Sequence, residues 1–562
     1  MLAVIVIWLY VSCLTFVYGV FAIALLQKMF GLKEQAPVSF CLVALTGLGA
    51  LTILSSYLAI FINLGVTANI LVSLCAIGGV ILARRKMGRA LAEYIQAIRE
   101  ADKRLVGLFA LAAFAILMQS TSSARVYDAA TYAQVIKWIE AYGQVPGLAN
   151  LNPRFGFNSS WLLPNALFSF SFVRAEPFHV LNGWFALLSV GYALRAIRTF
   201  ACGAPTPSSI IGLALLGIGI PLYWHAISSP DVNTPVTFAL WLLFVLATDT
   251  FSERLEFGIA HLLIFVLACY VLTFRLSAAP MLLLAAYILF LAARKRTANG
   301  AILLALAVII VAPWIIRNIV QSGYLIYPYP SIDWFNVDWK VPAESVLVEK
   351  QWIESWARVP GLPYDQVLTM TLSDWLPLWW QSRPFYDKLL IAWLGLFGCI
   401  GSVRLIANIQ NLSQGYTQNS KYLMPFLAAL GGTLFVFLTA PDLRFGHGFM
   451  IVLGIFWAVP LFDKIFSIWR TRTFSLLLGG VTLEWLLLCG IIDYPALTQH
   501  LIFPAAYPRP EAVIVNVGNF QVNVPKIGDQ CWMTPLPCTP YPNPKLQMRG
   551  STFADGFRMN EP

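Results

Sequence analysis

Long apolar runs separated by short polar connections dominate this chain. They fall near residues 1–26, 40–62, 66–83, 105–119, 178–194, 208–223, 236–250, 258–273, 277–293, 300–316, 388–407, 422–440, 446–461 and 474–491. Most approach the roughly 20 residues that a helix needs to cross a bilayer. The pattern predicts an all-α, polytopic integral membrane protein with about fourteen transmembrane helices. The first run has no basic stretch before it and no small-residue cleavage site after it, so it reads as a retained membrane helix.

The polar connections predict sidedness. Arg84-Arg85-Lys86 and Arg294-Lys295-Arg296 directly follow apolar runs, the position of cytoplasmic loops under the positive-inside rule. Placing them inside puts Lys28, Lys33, Arg195, Arg198, Lys464, Arg470 and Arg472 on the same side. Both termini, a loop over 119–173 and a loop over 317–387 then lie outside. Three parts result: a three-span extension with a basic cytoplasmic loop (1–104), a membrane core (105–491) and an extracytoplasmic tail (492–562). Large outer loops on a scaffold of short inner ones direct the search for function outward.

Within the first outer loop, Tyr132, Val135, Ile136 and Ile139 recur at helical spacing and lay one apolar stripe along a short interfacial helix ending at Gly143. The second outer loop holds Trp334, Trp339, Trp352, Trp356, Trp375, Trp379 and Trp380. Two readings fit them: an aromatic belt at the headgroup level, or a groove whose ring faces hold a sugar or polyisoprenoid.

Composition narrows the class. A chain that is 59% hydrophobic and 11% charged, with mean hydropathy +0.72, needs lipid around it; soluble domains carry about 25% charged residues. The net charge of +10 is spread along the chain rather than gathered into a basic domain, which speaks against a nucleic-acid partner. Of nine cysteines, Cys531 and Cys538 alone share a polar, Pro-rich segment; their spacing suits a small disulfide loop in an oxidising compartment. The five histidines show no metal-ligand spacing and no Gly-rich loop leads into Lys-Ser/Thr, so no cofactor is expected and a divalent metal is not indicated.

Asp128 stands where the amphipathic helix begins, at the mouth of a span. As an N-cap it would accept from the free amides of the first turn; as a general base at a partly desolvated interface it would deprotonate a hydroxyl. Asp231, between Pro230 and Pro235, is likewise either a turn-stabilising carboxylate or a substrate contact.

An Asp just beyond a span, heading an amphipathic helix in the first large outer loop, resembles the GT-C superfamily of polyprenyl-phosphate-sugar-dependent glycosyltransferases. The stretch Pro146-Gly147-Leu148-Ala149-Asn150-Leu151-Asn152-Pro153-Arg154-Phe155-Gly156-Phe157-Asn158-Ser159-Ser160-Trp161 is similar to a group of bacterial membrane proteins of the same plan. The resemblance implies transfer of a sugar from a polyprenyl-phosphate donor to a glycan, lipid or protein acceptor, at the outer face of a bacterial inner membrane. It implies Asp128 as catalytic base, with Tyr127 and Arg154 beside it in the substrate site. The lack of a second adjacent acidic residue speaks against a metal-dependent member. A lipid-phosphate leaving group needs fixed cations. Arg275, Arg317 and Arg444 are the candidates, and Ala440-Pro441-Asp442-Leu443-Arg444 resembles the superfamily's Pro-x-x-Arg placement, with Asp442 orienting Arg444. Each arginine also reads as a snorkelling anchor. Two other classes remain open: a transporter or lipid flippase, and a non-catalytic scaffold of a cell-envelope polysaccharide machine.

Overall fold

A computed structural model describes residues 1–32, 38–123, 129–174, 176–202, 206–252, 256–409, 420–466, 470–492 and 498–560. Helices dominate, because backbone N–H and C=O groups away from water must satisfy one another. The first six are α1 (Leu2–Met29), α2 (Phe40–Phe61), α3 (Val66–Leu82), α4 (Arg84–Arg99), α5 (Lys103–Ser120) and α6 (Ala129–Tyr142).

Among the described residues, six helices are long and apolar enough to cross a membrane: α1, α2, α5, Asn233–Ser252, Leu276–Lys295 and Thr297–Ser322. A seventh arises if α3 and α4 form one span, but these meet at 91°. The bend falls where Arg84-Arg85-Lys86 begins, since three successive cations resist entry into hydrocarbon. Fourteen crossings are therefore not supported. Five further apolar helices, Pro207–Leu222, Ile259–Leu272, Leu423–Thr439, His447–Ala458 and Ser475–Gly490, are shorter. Apolar composition does not guarantee helix length. A π-helical turn at Leu215–Gly219 interrupts the first, and the predicted span over 178–194 yields only Leu181–Ala193.

One continuous core joins these helices, and the N-terminal ones belong to it. α1 and α2 bring their backbones together at two glycines. A Cβ on Gly47 would lie 1.8 Å from the Thr15 carbonyl oxygen, and one on Gly19 would lie 2.0 Å from that of Val43. Such contacts let dispersion hold helices that lipid cannot drive together hydrophobically. In the Trp-rich region, helices Ala343–Arg358 and Leu372–Ser382 leave Trp352, Trp356 and Trp380 exposed, while Trp379 is buried.

The tail corrects the all-α expectation. Strands β1 (Ala512–Val517) and β2 (Phe520–Pro525) form an antiparallel hairpin, and β3 (Leu546–Met548) pairs with β4 (Phe557–Met559). Cys531 and Cys538 are joined by a disulfide. The alternation of Val and polar residues in 512–525 is the period-2 signal of a half-buried strand. The tail packs at one end of the bundle. Ala505 N donates to Thr121 O at 2.8 Å, and Leu2 N to Leu501 O at 3.0 Å. Phe557 N donates to Pro146 O at 2.9 Å. The Arg549 guanidinium donates to both Asp338 carboxylate oxygens at 2.8 and 2.9 Å. The loop before α6, the Trp-rich region and the tail thus share that end.

Candidate functional site

At this end a break in the helices gathers a polar cluster. It begins at Asp231. One carboxylate oxygen accepts from Thr234 N at 2.8 Å and the Thr234 hydroxyl at 2.9 Å; the other accepts from Asn233 Nδ2 at 3.0 Å. This satisfies a free amide at the start of the Asn233–Ser252 helix, the work of a helix cap. The Asn233 side-chain oxygen, so oriented, accepts from Arg275. Arg275 stands at the entry to the 3-10 turn Leu276–Met281, with extended backbone.

The Arg275 guanidinium lies 3.9 Å from the centroid of the Phe445 ring, and that of Arg444 lies 5.0 Å from the same centroid. The ring's quadrupole attracts both. Asp442 caps the short turn Leu443–Phe445 through Arg444 N at 3.2 Å. Its carboxylate also approaches Arg444 Nε at 2.8 Å and buried Arg383 at 3.8 Å. Arg383 is held in turn by the Trp379 carbonyl at 3.3 Å, while Trp379 Nε1 donates to Pro441 O at 2.6 Å. Below them runs a buried chain. His447 Nε2 meets Asp387 at 2.8 Å, and His447 Nδ1 meets the Tyr223 hydroxyl at 3.2 Å. That hydroxyl meets Thr237 Oγ1 at 3.0 Å.

Four predicted residues, Asp231, Arg275, Asp442 and Arg444, therefore belong to one neighbourhood. Arg317 is elsewhere: it is fully buried in the Thr297–Ser322 helix and donates from Nε to Gln144 at 2.9 Å. Arg154 is elsewhere too, half exposed on a short turn and 3.8 Å from buried Glu349. Burial raises the Glu349 carboxyl above its usual range, with Arg154 opposing. Tyr127 and Asp128 lie outside the described residues. On one flank of that segment Ser123 O accepts from the Ser228 hydroxyl at 3.4 Å, in the loop leading to Asp231. On the other flank Ala129 and Ala130 enter α6 buried.

The tail holds α6 firmly. Gln134 Nε2 donates to the carbonyls of Trp532 at 2.7 Å and Thr534 at 2.9 Å. Lys137 Nζ donates to those of Met533 at 3.3 Å and Thr534 at 2.7 Å. All three acceptors lie inside the Cys531–Cys538 loop. Trp138 packs edge-on against Phe553 and Phe557. Burial brings the Lys137 ammonium down to about 8, reinforced by Arg509 and opposed by Glu140. Burial pushes the Glu140 carboxyl up to about 7 against hydrogen bonds from Ser169 and Ser171 and the charge of Lys137.

Sequence reasoning missed Arg383, Asp387, His447 and Tyr223 as members of the cluster. A signal existed for one of them. Asp387 opens the apolar helix Phe385–Ile409, and an ionisable group at the mouth of such a helix calls for a named partner. Chemically, the cluster offers fixed guanidinium groups oriented by carboxylates and, beneath, a buried Asp–His–Tyr chain. Among the described residues no three His, Cys, Asp or Glu side chains are grouped to hold a metal ion. A family model described as Domain of unknown function (DUF8201) matches residues 1–451. No curated protein and no solved structure matches the chain.

Proposed function

The chain belongs to the family described as Domain of unknown function (DUF8201), and we propose that it transfers a sugar from a polyprenyl phosphate to an envelope acceptor. The reaction takes place at the outer face of a bacterial inner membrane, the side to which this reading assigns both termini. The observation that carries this reading is the pair of guanidinium groups of Arg275 and Arg444 on the single ring of Phe445. The ring gathers two guanidinium groups in one place, and Arg444, partly exposed even while paired with Asp442, keeps that place reachable for an anion.

The proposed reaction is a direct displacement. The Asp128 carboxylate takes the proton of the acceptor hydroxyl, whose oxygen forms the new bond to the anomeric carbon. The bond from that carbon to the phosphate oxygen breaks, its electron pair leaving on the lipid phosphate, and the anomeric centre inverts. Arg275 and Arg444 take up the charge that grows there; Asp442 orients Arg444, and Asp231, through Asn233, orients Arg275. Tyr127, next to Asp128 in the chain, contacts the sugar, whereas Arg154 has no part in this reaction.

Glycan transfer in native membranes, with extracted prenyl-phosphate sugars and envelope acceptors at matched protein levels, tests this. Asp128→Asn should abolish transfer while insertion persists, and Arg444→Ala should lower kcat/KM by roughly 10²-fold. Equal transfer by wild type and Asp128→Asn would remove Asp128 from the mechanism. The interrupted helices, bent by 91° between α3 and α4 and π-helical at Leu215–Gly219, favour one second reading, a lipid flippase. Its signature is flux without a covalent product.

A further inference from the structure

Away from the cluster, the Thr297–Ser322 helix carries an arginine with bare terminal nitrogens. Arg317 is fully buried; Nε is engaged by Gln144 at 2.9 Å, while Nη1 and Nη2 are buried without a hydrogen-bond partner. One turn earlier, Trp314 and Asn158 hold each other by reciprocal bonds of 2.8 Å, from Trp314 Nε1 to Asn158 O and from Asn158 Nδ2 to Trp314 O. That grip leaves Asn158 Oδ1 buried and unpartnered. One turn later, Gln321 Oε1 is also buried and unpartnered. Positions 314, 317 and 321 share one helix face.

A buried guanidinium with no anion beside it is strongly unfavourable, and native proteins seldom leave such groups unpaired. With Nε taken, the free edge is the Nη1/Nη2 fork, whose parallel N–H groups match the two oxygens of a carboxylate. One enclosed guanidinium balances one negative charge, whereas a phosphate monoester brings nearly two. Asn158 Oδ1 and Gln321 Oε1 only accept, so they call for hydroxyl donors next to the anion. A sugar acid supplies both.

We propose that Arg317, Asn158 and Gln321 form a binding site for the carboxylate and hydroxyls of a hexuronate, so that the glycan substrate of this protein is an acidic sugar. The substrate assignment rests on the transferase reading; the site itself does not.

The test measures binding without turnover. The full chain in lipid nanodiscs is titrated with D-glucuronate, D-glucose and inorganic phosphate, following Kd and thermal midpoint by tryptophan fluorescence. Glucuronate should raise Tm and bind at least about 30-fold more tightly than glucose, the loss expected when a buried charge forfeits its partner. Phosphate should leave Tm unchanged. Arg317→Met should raise Tm without ligand, because it removes an unpaired buried charge, and should abolish the glucuronate shift. Equal responses to glucuronate and glucose, a shift with phosphate alone, or no response to any of the three would overturn the site. So would a lower Tm for ligand-free Arg317→Met, which marks a purely structural arginine. Glucuronate binding in a protein that transfers no sugar would instead retire the transferase reading and leave the site standing.

Discussion

Phe445 is a side chain with no polar atom, yet it organises the charges around it by drawing both Arg275 and Arg444 to its ring. Stacking of this kind depends on a planar guanidinium, so Arg444→Lys keeps the charge but loses the geometry. We expect kcat/KM for transfer to fall by roughly 10–100-fold in that variant, with the protein still folded. Glu140 makes a different prediction. Burial pushes its carboxyl up to about 7, above the ordinary 4.5, so the native state binds more protons between those values. Stability from this group is full below about 4.5 and is lost as pH rises through 7. Glu140→Gln should therefore be more stable than wild type at pH 8, with the advantage vanishing near pH 4, as thermal midpoints against pH will reveal. At this scale the sequence was legible where chemistry is local. Asp231 between two prolines announced a carboxylate that serves the local backbone, and it caps the Asn233–Ser252 helix. His447 and Asp387 meet across sixty positions, and no local pattern announces such a pair.

For elements, the decisive distinction is between apolar content and uninterrupted helix. Hydropathy located nearly every helix of the bundle, but it overestimated crossings because it registers neither a π turn at Leu215–Gly219 nor the refusal of Arg84-Arg85-Lys86 to continue α3 straight. Close approach leaves a sharper test. Gly47→Val would drive a side chain into the Thr15 carbonyl. It should destabilise the α1–α2 pair by about 1–3 kcal/mol or more, seen as lower yield of folded protein in detergent. Helix α6 was expected from its stripe, whereas its attachment to the tail was not: the partners of Gln134 and Lys137 are backbone carbonyls, which carry no sequence signature. Replacing both Cys531 and Cys538 with Ser should free those carbonyls, raising amide exchange in α6 and slowing transfer while leaving exchange in α1 and α2 unchanged.

The whole molecule concentrates its loops, its tail and its polar cluster at one end of an apolar bundle. Sequence assigns these parts to the outer side through the positions of Lys and Arg, because charge asymmetry between loops is a global property written residue by residue. The tail's hairpins escaped it: the alternation in 512–525 is brief beside the apolar runs that dominate the chain. Single cysteines placed at Ser373 and at Gly528 in a variant lacking other exposed thiols should react together with a membrane-impermeant maleimide in intact cells, and one at Gly88 should not. Labelling of all three would refute the proposed sidedness.

Time gives the clamp on α6 a further meaning. Gln134 and Lys137 are synthesised nearly 400 residues before the carbonyls they bond. During biogenesis α6 must therefore wait, with its lysine and glutamine provisionally hydrated, until the last segment has been made. Contacts of such sequence separation form late and slowly. A chain that stops just after residue 500 has every long apolar helix made and α6 still without the carbonyls of Trp532, Met533 and Thr534.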